Sequence, residues 1–317
     1  MDKEFLLAVD GGGAKTQVLV TDLEGNVLAR GLGPESNHHR VGFEAFAKAL
    51  TIAIEGALQH IIGARPRSDQ PGWHTARIAA ACFGLAGVDG PEDEAQISRW
   101  IRQQGIAPTF RVLNDSELIL AAGTPEGWGV ALIAGTGSVC LGRSPDGRVL
   151  RIGGWGHLLG DEGSGYSIAV RALHVATQTA DGRANATALL DAVLRHWALA
   201  DAEALIRHVY TPAMTQSDVA GLATAVLNLA GRGDAAALGV LNEAGTELAL
   251  HVETVVRRLN LKHPPLALAG GALRASLRKA LQSSITSEMG PIHFVADPSM
   301  GAVVLARRLL TTAPRPH

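Results

Sequence analysis

The chain has 317 residues, of which 47% are apolar, and a formal charge of −2 from 28 basic and 30 acidic residues. This length and apolar content favour two domains. The balanced charge gives no electrostatic reason to expect nucleic acid or an anionic membrane as a partner, so we expect a small molecule. No apolar run reaches the roughly 18 residues that span a bilayer, and no signal pattern precedes Phe5. Because Cys82 and Cys140 lie in apolar runs without a metal-ligand pattern, we expect reduced thiols in a cytoplasmic protein.

The first predicted element is a pair of strands joined by a glycine turn. Phe5–Val9 is apolar and ends in Asp10 and three glycines, and Gln17–Val20 alternates as a half-buried strand does. Glycines allow backbone N–H groups to approach a phosphate closely. Because these glycines open a strand and not a helix, they match neither a Walker loop nor a dinucleotide fingerprint. Asp10 would suit a magnesium-bound triphosphate, through metal-bound water; an ordinary hairpin with a capping Asp is the alternative.

Alternating strands and helices follow, and one junction carries a candidate base. The pattern predicts strands at Val27–Arg30, Ile78–Phe83 and Thr109–Leu113, and helices at Phe43–Ile62, Pro91–Arg102 and Ser116–Ala122. The strand ending at Leu113 is followed by Asn114 and Asp115. Because ligands of open α/β sheets bind beyond the strand ends, Asp115 is a candidate base, while a plain helix N-cap is the other interpretation.

The opening strand pattern occurs a second time. An apolar strand from Val130 runs into the turn Gly135–Ser138, a second strand, a Gly-containing turn and a third strand ending at Ile152. A repeated supersecondary unit predicts duplicated domains that face each other across one cleft, with a phosphate loop on each side. Thr136 and Ser138 would add hydroxyl donors to the backbone N–H groups. Two unrelated hairpins are the alternative.

The rest of the chain is predicted to be mostly scaffold. Helical periodicity covers 166–179, 188–197, 202–209, 217–230, 235–259 and 299–310. The strand Leu266–Ala269 runs into Gly270, Gly271 and Ala272, which we expect to open a helix and to let adenine or ribose lie against backbone. A tight strand-to-helix turn is the simpler interpretation of that glycine pair.

Together these motifs resemble a known superfamily. Residues 7–16 (LAVDGGGAKT), 113–115 (LND), 134–138 (AGTGS), 268–272 (LAGGA) and Gly301-Ala302 resemble the phosphate, connecting and adenosine motifs of the actin-like, sugar-kinase and Hsp70 ATPases. Residues 36–38 (SNH) and 153–165 (GGWGHLLGDEGSG) resemble the N-acetylglucosamine kinases of the BadF/BadG/BcrA/BcrD-type ATPase family. The resemblance implies an α/β fold of two duplicated actin-like (ribonuclease H-like) domains with an interdomain nucleotide cleft. One domain would comprise residues 1–117 with a C-terminal helix at about 299–317, and the other residues 118–298.

The resemblance also implies a function and a set of site residues. Family members transfer the γ-phosphoryl group of ATP to the 6-hydroxyl of an amino sugar such as N-acetylglucosamine, and the residue that matches their base is Asp115. Matching positions for the sugar are Asn37, Asn114, Asp115, Thr136, Gly154 and Asp161. Matching positions for the nucleotide are Gly11, Gly12, Gly13, Ala14, Lys15, Thr16, Gly135, Thr136, Gly137, Ser138, Gly270, Gly271 and Ala272. Asp10 would serve Mg²⁺, so the expected cofactors are ATP and Mg²⁺; a homodimer is compatible with the sequence.

Two departures from the family pattern leave the substrate open. Ala14 replaces the usual Thr of the first loop, so Lys15 or Thr16 would have to compensate, and Val139 replaces an Asn found in the animal enzymes. Glucosamine is therefore an alternative substrate. An ATPase activator of the BadF type is a further alternative, although its iron–sulfur cluster needs grouped cysteines. A sugar-sensing regulator would be expected to carry a basic DNA-binding segment, which does not precede Phe5.

Overall fold

Two five-stranded mixed sheets organise the chain in the computed structural model, which describes residues 3–13, 15–62, 72–124, 126–185 and 187–312. Each sheet belongs to its own compact unit. The first unit contains residues 1–127 and 297–317, and the second contains residues 128–296. Helices cover the sheets of both units, which confirms the predicted α/β fold class.

The elements of the first unit before the crossover to the second are β1 (Glu4–Gly11), β2 (Thr16–Thr21), β3 (Val27–Gly33), α1 (His38–Val41), α2 (Phe43–Ile62), a 3₁₀ turn (Gly72–His74), β4 (Arg77–Leu85), α3 (Pro91–Gln104), β5 (Phe110–Leu113) and α4 (Ser116–Gly123). Those of the second unit are β6 (Gly129–Ala134), β7 (Ser138–Arg143), β8 (Val149–Gly153), α5 (Gly165–Ala180), α6 (Ala188–His196), α7 (Ala204–Val209), α8 (Gln216–Gly221), α9 (Ala223–Ala230), α10 (Ala235–Leu259), β9 (Leu266–Ala269), α11 (Ala275–Ser284) and β10 (Ile292–Phe294). The chain then returns to the first unit as α12 (Ser299–Thr312).

The two sheets have the same topology. Their strand orders are β3-β2-β1-β4-β5 and β8-β7-β6-β9-β10. In both, the first three strands form an antiparallel meander, and the remaining two are parallel to the first strand. Two unrelated hairpins would not bring matching crossover strands with them, so the structure confirms the predicted duplication.

Strand β1 explains why the first unit needs helices on both faces of its sheet. Leu7 and Val9 belong to the apolar core that includes Phe46 of α2. Leu6 and Ala8 point to the opposite face and pack in a second core with side chains of α4 and α12. Since side chains alternate along a strand, an uninterrupted apolar run is what a strand buried on both faces requires.

The second unit is built on its longest helix. α10 buries a stripe of residues, among them Val240, Leu248 and Val255, and packs against β6, β7 and β8. A separate apolar cluster joins α5, α6, α7 and α8 around Val193 and Leu205. The unit therefore has a sheet core and a second, all-helical core beside it.

Several boundaries differ from those expected. Helix α4 continues past residue 117, so the predicted domain boundary would cut a helix whose Leu118 and Ala121 pack in the first unit. The predicted helix over 217–230 is two helices, α8 and α9. Strand β10 was not predicted because it has only three residues, Ile-His-Phe, which are too few to establish a strand period. Gly270–Ala272 do not open a helix, since α11 begins only at Ala275. The predicted terminal segment 313–317 lies outside the described residues.

Both cysteines are buried in the cores of the units. Within the described ranges, no helix combines the length and apolarity that crossing a bilayer would take. Cys82 and Cys140 are buried free thiols, one in each unit. Burial raises the pKa of Cys82 to about 12 and raises that of Cys140 as well. Both thiols are therefore held protonated in apolar surroundings.

A close contact at Gly301 of α12 allows the packing of this helix against α4 to be tested. A Cβ placed on Gly301 would lie 2.0 Å from the backbone oxygen of Leu118. We expect Gly301→Ala to lower the free energy of unfolding by about 1–3 kcal/mol, because the two helices must separate. The matched control is Gly56→Ala on α2, where the nearest atom would be 3.9 Å away. The free energy of unfolding of that variant should rise by up to about 1 kcal/mol, because alanine favours a helix more than glycine does. Urea denaturation measures both, and equal effects would contradict the packing described.

Candidate active site

Three strands of the first unit end at one edge of its sheet. In the parallel register, Asp10 of β1 lies opposite Gly84 of β4, and Gly84 lies opposite Leu113 of β5. Asn114 and Asp115 follow directly after Leu113. The fold thus brings two of the predicted site residues, Asp10 and Asp115, to the same end of the sheet, although they are far apart in sequence.

The Asp10 carboxyl is strongly perturbed in this position. Its pKa is raised from 3.8 to about 7, mainly by burial and then by the neighbouring charges of Asp115 and Asp297, while Lys15 opposes the shift. Like charges that share a partly buried site favour the protonated form unless a cation compensates them. A positive charge at this edge of the sheet would favour the ionised form of Asp10.

Asp297 is a site residue that the sequence analysis missed. It accepts hydrogen bonds from Gln17 (3.0 Å) and Arg30 (2.8 Å), and from the hydroxyl of Ser299. Burial would raise its pKa, but the hydrogen bonds from Ser299 and Arg30 and the Arg30 charge outweigh burial and lower it. The only signal in the sequence is an Asp-Pro-Ser triplet before the last helix, a pattern that also marks an ordinary helix start.

Asn114 performs the capping that was considered for Asp115. Its Oδ1 accepts from the backbone N (3.1 Å) and the hydroxyl (2.6 Å) of Ser116, and its Nδ2 donates to the Val88 carbonyl (3.1 Å). Asp115 stands at the N-cap position of α4 but makes no side-chain cap hydrogen bond. The capping interpretation of the Asp115 side chain is wrong, and its carboxylate instead contributes to the charge around Asp10.

The first glycine turn is tightly built. The Gly12 amide donates to the Lys15 carbonyl (2.9 Å). A Cβ on Gly11 would lie 2.4 Å from the hydroxyl of Ser36, so only glycine fits there. Gly13 and Lys15 are exposed, whereas Thr16 is fully buried and donates its hydroxyl to the Pro34 carbonyl (2.7 Å).

Thr16 therefore does not compensate for the missing hydroxyl in the way that the sequence suggested, because its one hydroxyl proton is used inside the unit. Ala14 itself lies outside the described residues.

Asn37, a predicted sugar residue, begins a short helix beside the loop that follows β4. Its Oδ1 accepts from the backbone N of His39 (3.1 Å), which makes it the N-cap of α1. Gly87 has a φ of +90°, and a Cβ on it would lie 2.6 Å from Asn37 Oδ1. Close approach of two loops thus positions the Asn37 amide.

The second glycine turn is held by the run 153–165. The Gly135 amide donates to Gly137 O (2.9 Å), and the Gly165 amide donates to Gly135 O (2.8 Å). The Ser138 hydroxyl donates to the Glu162 carbonyl (2.7 Å), so it is used within the fold and not directed outward as expected. Thr136, at the tip of the turn, is exposed.

Asp161 lies behind this turn. It is buried and has a φ of +62°, and its two carboxylate oxygens accept from the Ser138 amide (3.1 Å) and from Gln216 Nε2 (3.3 Å). In this structure the carboxylate braces the turn. The other predicted residue of the run, Gly154, is half-buried and accepts from Arg151 through its carbonyl oxygen (2.8 Å).

A pocket of about 400 Å³ in the second unit joins two of the predicted nucleotide motifs. Gly135 and Thr136 line it on one side, and Gly271 and Ala272 on another. The Ala272 amide donates to Ala134 O (3.0 Å), which fixes the two motifs to each other. Lining residues that the sequence analysis missed include Ser217, Thr224 and Arg274. Ser217 and Thr224 lie on α8 and α9, where no glycine-rich motif marked them, and Arg274 is the N-cap residue of α11, two positions after the predicted motif ends at Ala272.

Comparison with known proteins agrees with this architecture. The chain belongs to the BadF/BadG/BcrA/BcrD ATPase family, whose model matches residues 7–306. It is 33% identical over 312 residues to the N-acetylmuramic acid/N-acetylglucosamine kinase of Clostridium acetobutylicum, which covers 96% of this chain and 98% of that one. It is 32% identical over 318 residues to the N-acetyl-D-glucosamine kinase of Dictyostelium discoideum, with the same coverage. These matches confirm the predicted family.

A solved structure supports the fold. A Chromobacterium violaceum protein provisionally described as an N-acetylglucosamine kinase matches with a TM-score of 0.70 and 26% identity, over 96% of this chain and 99% of that one. The likeness extends over both units of the chain and is not limited to the glycine turns.

The burial of Asp10 gives a pH-dependent prediction. In the unfolded chain Asp10 loses its proton near pH 3.8, but in the folded chain only near pH 7. The folded state therefore binds the extra proton between these values, and this residue's contribution to stability falls as the pH rises, by about 1.4 kcal/mol per pH unit. Without divalent cations, Asp10→Asn should gain stability relative to wild type from pH 4 to 7 and stay level above. Thermal unfolding across that range measures the difference.

Glu44→Gln, on the exposed face of α2, is the control and should show no such trend. A pH-independent difference between Asp10→Asn and wild type would contradict the raised pKa of Asp10.

Proposed function

We propose that this protein transfers the γ-phosphoryl group of ATP to the 6-hydroxyl of N-acetylglucosamine. The observation that carries the proposal is the position of Asp115, which follows the end of β5 and lies close enough to half-buried Asp10 for its charge to raise the pKa of that carboxyl. A carboxylate so placed can accept the proton of an attacking hydroxyl. The kinase names of the two relatives supply the substrate class.

The nucleotide side of the proposal rests on the two glycine turns and the pocket of the second unit. Exposed Gly13 and Lys15 would serve the phosphates from the first turn, and Thr136 would add a hydroxyl donor from the second. The pocket beside Gly271 would take the adenosine, since backbone without side chains lets a flat ring lie close.

The carboxylates of the first unit fit a magnesium ion. Mg²⁺ prefers oxygen ligands and usually keeps several waters, and Asp10 and Asp115 supply oxygen donors whose mutual repulsion a dication would relieve. We propose that Asp10 holds the ion through water. When bound, the ion neutralises charge on the β- and γ-phosphate oxygens.

The reaction then needs mainly positioning and one proton transfer. Asp115 accepts the proton of the sugar 6-hydroxyl while the oxygen of that hydroxyl forms a bond to the γ-phosphorus. At the same time the bond between the γ-phosphorus and the bridging oxygen of ADP breaks. The products are the sugar 6-phosphate and ADP, and the proton leaves from Asp115. Asn37 and Asn114 would orient the sugar through side-chain amides that are already held in place.

The surroundings of Gly154 favour an acetylated amino sugar over glucosamine. A Cβ on Gly154 would lie 3.1 Å from Val139 Cγ2 and 2.6 Å from a guanidinium nitrogen of Arg151. An apolar wall suits an acetyl methyl group. A guanidinium would repel the free ammonium of glucosamine and can donate to an acetamido oxygen.

A panel of sugars tests the proposed function. ATP consumption in a coupled assay should depend on added sugar, and kcat/KM should be at least about 10-fold higher for N-acetylglucosamine than for glucosamine, which corresponds to about 1.4 kcal/mol. NMR of the product should place the phosphate on O6. A preference for glucosamine would reverse the argument from Val139 and Arg151, and sugar-independent ATP hydrolysis would contradict the kinase.

Replacing Asp115 tests the proposed base. Asp115→Asn should lower kcat by about 100-fold or more, because the amide cannot accept the hydroxyl proton. Sugar and ATP dissociation constants, measured by calorimetry, should change little. Asp191→Asn, on the exposed side of α6, is the control and should keep full turnover. Turnover of Asp115→Asn within a few-fold of wild type would remove Asp115 from the mechanism.

A further inference from the structure

Two adjacent histidines and an aspartate form a compact cluster in the first unit. His38 Nε2 lies 3.0 Å from Asp93 Oδ1, and His39 Nε2 lies 3.1 Å from the same oxygen. The three potential ligand atoms all lie within 4.8 Å of one another. The two imidazole rings are tilted by 36° to each other, with their centroids 4.1 Å apart. Two nitrogen donors and one carboxylate oxygen thus converge on one point.

The three side chains are held in place by the fold. The second oxygen of Asp93 accepts from the backbone N atoms of Asp89 (3.1 Å) and Gly90 (3.2 Å) at the start of α3. His38 is buried and packs edge-on against Phe46, with centroids 5.8 Å apart. His39 has a side chain that is 54% exposed, which leaves an entry path from solvent. Such bracing from behind, with one open side, is what a metal site requires.

We propose that His38, His39 and Asp93 bind a divalent transition metal ion of the zinc type, with solvent in the fourth position. Tetrahedral zinc bound at its usual distances separates its ligand atoms by about 3.3 Å, so the two nitrogen-to-oxygen distances of 3.0 and 3.1 Å would lengthen by only a few tenths of an ångström. Imidazole nitrogen selects zinc-type ions over Mg²⁺ and Ca²⁺, which prefer oxygen ligands. The site is therefore chemically distinct from the carboxylates around Asp10.

The hydrogen bonds of Asp93 are divided between its two carboxylate oxygens. Oδ2 accepts from the Asp89 and Gly90 amides, and both imidazoles approach Oδ1. An ion placed among the two imidazole nitrogens and Oδ1 could therefore take all three as ligands without disturbing the bonds to Oδ2.

The environment of His38 also sets the expected affinity. Its Nδ1 is buried and has no hydrogen-bond partner among the described residues. When Nε2 binds a metal, Nδ1 must carry the proton, and a missing partner there commonly lowers metal affinity 10- to 100-fold. We therefore expect a dissociation constant in the micromolar range and not the nanomolar range.

A bound metal would join two separate segments. His38 and His39 belong to the helix capped by Asn37, and Asp93 belongs to α3. Crosslinking them through an ion would fix α1 against the start of α3. The ion should therefore raise the melting temperature, since it binds the folded arrangement and not the unfolded chain.

The test is titration of the full chain with metal alone. Protein stripped with a chelator and kept free of Mg²⁺ and nucleotide should bind one Zn²⁺ with micromolar affinity by calorimetry, and one Co²⁺ with visible absorption bands typical of four or five ligands. His39→Ala and Asp93→Asn should each weaken binding at least 10-fold and abolish the rise in melting temperature. His60→Ala, an exposed histidine on α2, is the matched control and should bind as wild type does.

Because His39 is largely exposed, its alanine variant should fold, and circular dichroism checks this. Binding weaker than millimolar in wild type would overturn the proposal. Undiminished binding in both His39→Ala and Asp93→Asn would overturn it as well, and so would equal affinity for Mg²⁺. These measurements need no sugar or ATP, so their failure would leave the proposed kinase activity unaffected.

Discussion

The fold of the first unit holds the carboxylates of Asp10, Asp115 and Asp297 close enough to repel one another. Asp10 ends a strand that is buried on both faces, and its pKa is raised to about 7 by burial and by the charges of Asp115 and Asp297. Such an arrangement costs folding free energy in the absence of a compensating cation. Asp297 is tied to Arg30 and Gln17, so the fold fixes the charge that surrounds Asp10 and does not let it move away.

Duplication has produced two sheets of one design with different turns. In the first hairpin Gly11 pairs with Thr16, and in the second Ala134 pairs with Ser138, so the second turn is one residue shorter. The acidic residue before the first turn has an apolar counterpart, Ile133, before the second. Charge is thus concentrated in one unit, while the glycine-lined pocket belongs to the other. The two units thus share a strand topology but present different side chains at their turns.

The sequence predicted the parts of the fold that repeat regularly. The bounds of α2 and α10 were predicted correctly because the helical repeat of apolar residues is clear over a long segment. The family was recognised from its glycine motifs. Side-chain direction was harder to predict. The hydroxyls of Thr16 and Ser138 were expected to face a phosphate, yet both donate to carbonyls within their own units. Asp297 was missed because only the folded chain brings it back to β2. Local sequence patterns do not predict contacts between residues that lie so far apart in the chain.

The return of α12 has a consequence for the order in which the protein is made. The second unit is one uninterrupted stretch of chain, whereas the first lacks Ala302 and Ala306, and hence one face of its core, until the last residues are synthesised. Domains tend to fold as they leave the ribosome, so the segment translated first is completed last. Until α12 is in place, Leu6 and Ala8 of β1 are covered on this face by α4 but lack the apolar side chains of α12.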